Sequence, residues 1–257
     1  MATPPQEIQT QADRSIRYSY NGPTELSELY KLATHTYREG GGTRPEVRLV
    51  NVDGIQYVLK DYNRCDDWFS KVFGKMLALR EGYALEELCG MIGVPGLAAR
   101  LGDRALLIEF VPGAERARKK PECWTIEYFD QLQKLLEDMH GQGYAHGDLR
   151  RSSNILVDDQ LRPWLVDFAS SFAAPKSPSG LRSKLRRWAF RQMRRADHNA
   201  VYKLKTRVAP HLLTERESLL AEHNLVDRVV RGFGRVFRAL NRFLFTSRNK
   251  RNHGQNR

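Results

Sequence analysis

The 257-residue chain is poor in cysteine: Cys65, Cys89 and Cys123 lie far apart with no Cys-x-x-Cys pair, which argues against a zinc site or a disulfide framework. A reducing compartment is the simplest inference. No stretch approaches the roughly 20 apolar residues needed to cross a bilayer, and the opening MATPPQEIQTQADRS lacks the apolar core of a signal peptide. A soluble or peripheral protein is expected. Internal repeats and long low-complexity linkers are also missing. Acid is missing from two places: between 176 and 207 Asp197 is the only one, and after Asp227 there is none.

The formal net charge of +12 is therefore clustered. Such clustering favours an anionic partner, whether phosphate-bearing lipid, nucleic acid or acidic sugar; the alternative is a solvated basic face. Hydrophobic content of 41% supports a folded core, and the length fits one two-lobed domain or two small ones.

Along the chain, residues 1–26 read as a flexible polar start. A β-rich stretch follows, with strands over 46–50 and 55–60 flanking a turn at Asn51-Val52-Asp53-Gly54. A helix is expected from about Lys71 to Cys89. Val94-Pro95-Gly96 breaks the pattern, and 105–111 is a buried strand stopped by Pro112-Gly113, a natural hinge. Thr125 can cap a helix with Phe129, Leu132, Leu135, Leu136 and Met139 at helical spacing. The remainder is helical in composition, with loops at 175–180 and near Pro210.

The most informative segment is HGDLRRSSNILVDDQLRPWLVDFASS, residues 146–171. Ile155-Leu156-Val157 and Trp164-Leu165-Val166 read as two short buried strands, with Asp158-Asp159-Gln160 and Pro163 supplying the turn. A hairpin brings its ends together, so Asn154 entering and Asp167 leaving lie side by side, with Asp148 on the preceding loop. These oxygen-bearing side chains can hold magnesium and face a hydroxyl nucleophile. Lys60 ends an apolar strand, where its charge needs a partner. On the following helix Phe73, Leu77, Ala84, Leu88 and Met91 form an apolar stripe with Glu81 in its middle, so Glu81 is the proposed partner. A structural ion pair is the alternative.

The order VLK, helix Glu, hinge strand, HGDL, Asn and DFA resembles the protein-kinase-like fold over roughly 29–171. YVLKDY with the following WF, GVPG, HGDLRRSSNILVD and WLVDFASS are most similar to bacterial lipopolysaccharide core kinases, the Kdo and heptose kinase family, with RIO-type kinases next. The resemblance implies a two-lobed α+β fold, with a β-rich N-lobe over 27–111 and a mainly helical C-lobe over 112–225. It implies ATP and Mg2+ as cofactors. Asp148 would accept the substrate proton, Asp167 and Asn154 would hold magnesium, Lys60 would contact the phosphates and Glu81 would fix Lys60. Backbone groups of Glu109, Phe110 and Val111 would take the adenine edge. Gly40-Gly41-Gly42 is either the loop over the phosphates or an ordinary flexible turn.

Several departures stand out. Asn154 lies six residues after Asp148, one more than usual, so the loop carries an extra residue or Ser153 shares the metal-binding role. Gly147 replaces the usual Arg, which predicts activity without loop phosphorylation. No Ala-Pro-Glu element or full glycine fingerprint is present. At the C-terminus, over 226–244, Val226, Val229, Val230, Phe233, Phe237 and Leu240 share one helical face and Arg228, Arg231, Arg235, Arg238 and Arg242 the other. This basic amphipathic helix suits an anionic membrane surface, or packs on the C-lobe. The leading expectation is a kinase of a lipopolysaccharide-like glycolipid or sugar-acid substrate, peripheral on the cytoplasmic face of the inner membrane. A RIO-like kinase with a protein substrate and an RNA association, and a membrane-docked pseudokinase adaptor, are the alternatives.

Overall fold

The computed structural model describes residues 20–175 and 180–222; the expected 226–244 helix lies outside them. A short helix, α1 (Leu26–Lys31), leads into strands β1 (Ala33–Arg38), β2 (Glu46–Val52) and β3 (Ile55–Asp61). The β2–β3 turn is tighter than its four-residue expectation. Val52 still pairs with Ile55, and Asp53 and Gly54 make the turn alone, at φ of 51° and 84°. Paired left-handed residues match the twist of a hairpin, which is why Asp-Gly sits there.

The helical stretch after β3 starts at Asp67 rather than Lys71. It comprises α2 (Asp67–Phe69), a π-turn (Ser70–Gly74) and α3 (Lys75–Glu87). Trp68 packs edge-on and Phe69 tilted against Phe73, with ring centroids 5.8 and 5.4 Å away, so aromatic packing draws the start back to α2. Next come β4 (Leu97–Leu101) and β5 (Ala105–Glu109). The sheet is antiparallel throughout, in the order β1-β2-β3-β5-β4.

β5 is apolar at consecutive positions because both its faces are covered. Leu106 and Ile108 face the main core, while Ala105 and Leu107 join Leu29 of α1, Val50, Val52 and Leu59 in a smaller cluster. The same alternation on β3 sends Leu59 into that smaller cluster and turns Val58 and Lys60 towards the main core.

After β6 (Glu115–Arg116), Thr125 caps α4 (Ile126–Gly141) by accepting the Tyr128 N–H at 3.2 Å. Phe129, Leu132, Leu136 and Met139 on one side of α4 are fully buried, each contributing about 1.5–3 kcal/mol. They tie Ala84 and Leu85 of α3, and Leu88 just after it, to Ile155, Leu165 and Phe168 in one continuous core. β7 (Tyr144–Ala145) pairs with β10 (Phe172–Ala173), and β8 (Ile155–Val157) with β9 (Pro163–Leu165).

Pro163 is thus a strand residue opposite Val157, not part of the turn. As the first residue of an edge strand its missing N–H costs no ladder bond. The turn is organised by Asp158 instead. Its buried carboxylate accepts from the amides of Gln160 and Arg162, the Arg162 guanidinium and the Trp164 indole. The described chain ends in a long helix, α5 (Leu181–Val208), and α6 (Glu215–Glu222).

Candidate active site

β3 and α3 bring Lys60 and Glu81 together in the interior. Lys60 Nζ lies 2.7 Å from Glu81 Oε2 and 2.6 Å from Asp167 Oδ1. Burial opposes the lysine charge, yet Asp167 and Glu81 outweigh it and hold the Lys60 pKa well above its usual value. Lys60 in turn lowers the Asp167 carboxyl to about 2, against the effect of burial. The Tyr62 hydroxyl, two residues beyond Lys60, donates to Glu81 Oε2 at 2.9 Å. Glu81 is therefore oriented from two sides. Tyr62 was not singled out from sequence; its spacing from Lys60 was the available signal.

Asp167 adopts a left-handed conformation, φ 70° and ψ 64°, which turns its carboxylate back towards Lys60. For a non-glycine residue this costs about 1–2 kcal/mol. The following Phe168 is fully buried, its ring 4.8 Å from that of His146, and anchors the turn.

The loop between β7 and β8 carries the other candidates. His146 Nε2 lies 3.0 Å from the Val166 carbonyl, so it carries the proton and leaves Nδ1 to accept the Asp148 N–H at 3.4 Å. Gly147 has φ 79°, and a Cβ there would meet the Ser170 carbonyl at 2.7 Å. Glycine replaces the usual arginine because this backbone has no room for a side chain. Asp148 is half-buried, with Arg151 Nε 3.2 Å from its Oδ2. Burial raises its pKa, Arg151 and His146 oppose that, and Asp167 adds to it.

The extra loop residue is absorbed locally. Residues 148–151 form a turn, with the Arg151 amide 3.4 Å from the Asp148 carbonyl, followed by a 3-10 turn, Ser152–Asn154. Asn154 still reaches back, its Nδ2 donating to the Asp148 carbonyl at 3.1 Å. That leaves its Oδ1 as an acceptor, 3.3 Å from the Ser153 hydroxyl. The Val166 amide donates to the Asn154 carbonyl at 3.0 Å, so the hairpin does bring the backbones of 154 and 166–167 together.

Asp197, on α5, is the residue that sequence reading missed. It is 1% exposed, and Oδ2 accepts the His146 amide at 2.8 Å and the His140 ring at 3.1 Å while Oδ1 accepts the Gly147 amide at 2.9 Å. One buried carboxylate thus fixes the backbone just before Asp148. Its signal in the sequence was isolation: the only acid in a strongly basic helix.

Gly40, Gly41 and Gly42 form the β1–β2 connection, and their surroundings constrain them. Gly41 and Arg44 exchange backbone bonds, while Gly42 and Asp66 hold each other through Gly42 N to Asp66 Oδ1 at 2.8 Å and Asp66 N to Gly42 O at 3.0 Å. Gly40 packs on Arg64 so closely that a Cβ would lie 2.5 Å from its carbonyl oxygen. This is a tied turn rather than a free flexible one. At the hinge, the Glu109 amide donates to the Gly96 carbonyl and so is committed, while the Val111 carbonyl accepts one bond from Ala114 and keeps a second lone pair.

The fold built from these elements resembles solved structures. The Rio2 kinase from Chaetomium thermophilum aligns with a TM-score of 0.52 at 17% identity, over 74% of this chain and 62% of that one. The chain has the protein-kinase-like fold. The ADP/Mg2+-phosphoaspartate complex of the same Rio2 kinase aligns at 0.50 and 17% identity, over 74% of this chain and 60% of that one. In sequence, the serine/threonine-protein kinase PKH3 of Eremothecium gossypii is 30% identical over 80 residues, 29% of this chain and 11% of that protein. The chain spans less than two thirds of the length of each of these relatives. No family model matches it.

Proposed function

We propose that this protein is a magnesium- and ATP-dependent phosphotransferase acting on a hydroxyl acceptor. The observation that carries this reading is the convergence of Lys60, Glu81 and Asp167 beside a loop that presents Asp148 and Asn154. The donor set fits magnesium. Asp167 and the Oδ1 of Asn154 are hard oxygen ligands, and among the described residues no cluster of three or more His, Cys, Asp or Glu forms a complete cage. Magnesium is commonly held by one or two side chains plus substrate phosphates, for whose charge it compensates.

Each side chain then has one task. Lys60, kept cationic by its two carboxylates, binds nucleotide phosphate and gives up part of its contact with Asp167 as it does so. Glu81 keeps it aimed. Asp148 accepts the proton of the attacking hydroxyl, and Arg151 must leave its carboxylate for the acceptor to approach.

For the acceptor, the likeness to Rio2 and to PKH3 favours a serine or threonine hydroxyl on a protein. A sugar hydroxyl of an anionic, lipopolysaccharide-core-like glycolipid is the second reading, supported by the sequence motifs and by the acid-free first half of α5. Its Arg186 lies beside the Ala173 carbonyl, at 3.4 Å, near the loop. The test is transfer from labelled ATP with magnesium to total protein extract and, separately, to rough lipopolysaccharide, with Asp148→Asn as control. Label on protein or on glycolipid, lost in the variant, decides the acceptor. No transfer to either, with magnesium-ATP still bound, would point instead to the adaptor reading.

A further inference from the structure

α5 has two unlike halves. From Phe190 to Leu204 its inward side is buried and holds Phe190, Asp197, Ala200, Val201 and Leu204. At about 100° per residue, the opposite side of its first half carries Leu181, Leu185 and Trp188, which are 83%, 62% and 46% exposed. Lys184, Arg191 and Arg195 are exposed and border that stripe. Nothing in packing the helix onto the core calls for large apolar residues there.

We propose that this face docks on an anionic lipid surface. The occupant follows from charge and from residue type. Lys184, Arg191 and Arg195 border the stripe, and the sequence between 180 and 196 has no acid, so the face repels a second copy of itself. It equally repels the basic segment beyond Asp227. An anionic leaflet attracts these three charges, by about 1 kcal/mol for each near the surface, roughly fivefold in binding. The apolar stripe separates lipid from RNA. A nucleic-acid platform needs aromatic faces for bases to stack on, whereas the exposed stripe is mostly leucine, suited to the acyl boundary, with a tryptophan of the kind that sits at headgroup depth. This binding requires no catalysis.

The experiment is sedimentation of the full chain with vesicles of phosphatidylcholine alone or mixed with phosphatidylglycerol, for wild type, Leu181→Asp/Leu185→Asp and Trp188→Phe. Both leucines are exposed, so the double variant should melt like wild type. Wild type should favour the anionic vesicles by at least tenfold, and the double variant should lose at least tenfold of that partitioning. Brominated lipid should quench tryptophan emission in wild type and much less in Trp188→Phe. Equal binding by the double variant overturns the proposal, as does equal quenching in Trp188→Phe, which would place the contact elsewhere in the chain. So does a preference for RNA over anionic vesicles that is insensitive to the leucine changes.

Discussion

Asp197→Asn should damage both stability and activity although Asp197 touches no reacting group. Its carboxylate receives three donors: the His146 amide, the Gly147 amide and the His140 ring. An asparagine of the same shape keeps one oxygen and turns an NH2 towards this set of donors. At least one buried N–H then loses its acceptor, at about 1–3 kcal/mol, and each remaining bond loses charge assistance worth about 1 kcal/mol. Burying an amide rather than a charge offsets part of this. The net expectation is about 3 kcal/mol, or a melting temperature lower by about 6–12 °C in a chain of this size. Because the released amides immediately precede Asp148, a loop displacement of about 1 Å should slow phosphoryl transfer on the order of 10²-fold. Urea unfolding and initial rates under native conditions measure the two effects, with exposed Asp130→Asn as a control expected to stay within about 0.5 kcal/mol. If Asp197→Asn unfolds and turns over like wild type, the anchoring role is wrong.

Glu81→Gln leaves Lys60 with Asp167 as its only carboxylate partner, so lysine and magnesium compete harder for that group; the KM for ATP should rise about tenfold with a smaller fall in kcat, measured by steady-state kinetics. Burial raises the pKa of Asp148, so the acid limb of kcat/KM should lie at higher pH than for an ordinary aspartate, activity being lost as pH falls through it. Arg151→Ala removes an opposing cation and should move that limb higher still; an unmoved limb would count against Asp148 as the base. Asp158→Ala strands the Arg162 amide and the Trp164 indole and should destabilise the fold by about 2–4 kcal/mol, read by thermal melting. Asp158 faces the hairpin turn, so ATP affinity of the still-folded variant should be unchanged.

Much of this molecule is legible in its sequence because the relevant physics is local or periodic. Period-two alternation places Lys60 on the inner side of β3, period 3.6 places Glu81 on the buried side of α3, and Asp-Gly closes the β2–β3 hairpin. Thr125 marks the start of α4 as a side-chain cap. The order of these pieces is sufficient for the fold class. Where local rules compete, boundaries shift: aromatic packing draws the start of the α2–α3 stretch back to Asp67, and Pro163 joins a strand whose edge position tolerates it.

What sequence could not supply are contacts between residues distant in the chain, for which no spacing rule exists. Asp197 grips residues some 50 positions earlier; Tyr62 reaches Glu81 from another element; Asp66 ties down the glycine turn. The left-handed Asp167 and the lack of room at Gly147 are likewise products of neighbours that meet only once the chain is folded. Sequence determined which chemical groups are available and on which faces of their elements they lie. Tertiary structure decided which of them meet, because burial makes an unpaired charge or N–H costly enough that only mutually satisfying partners share the interior.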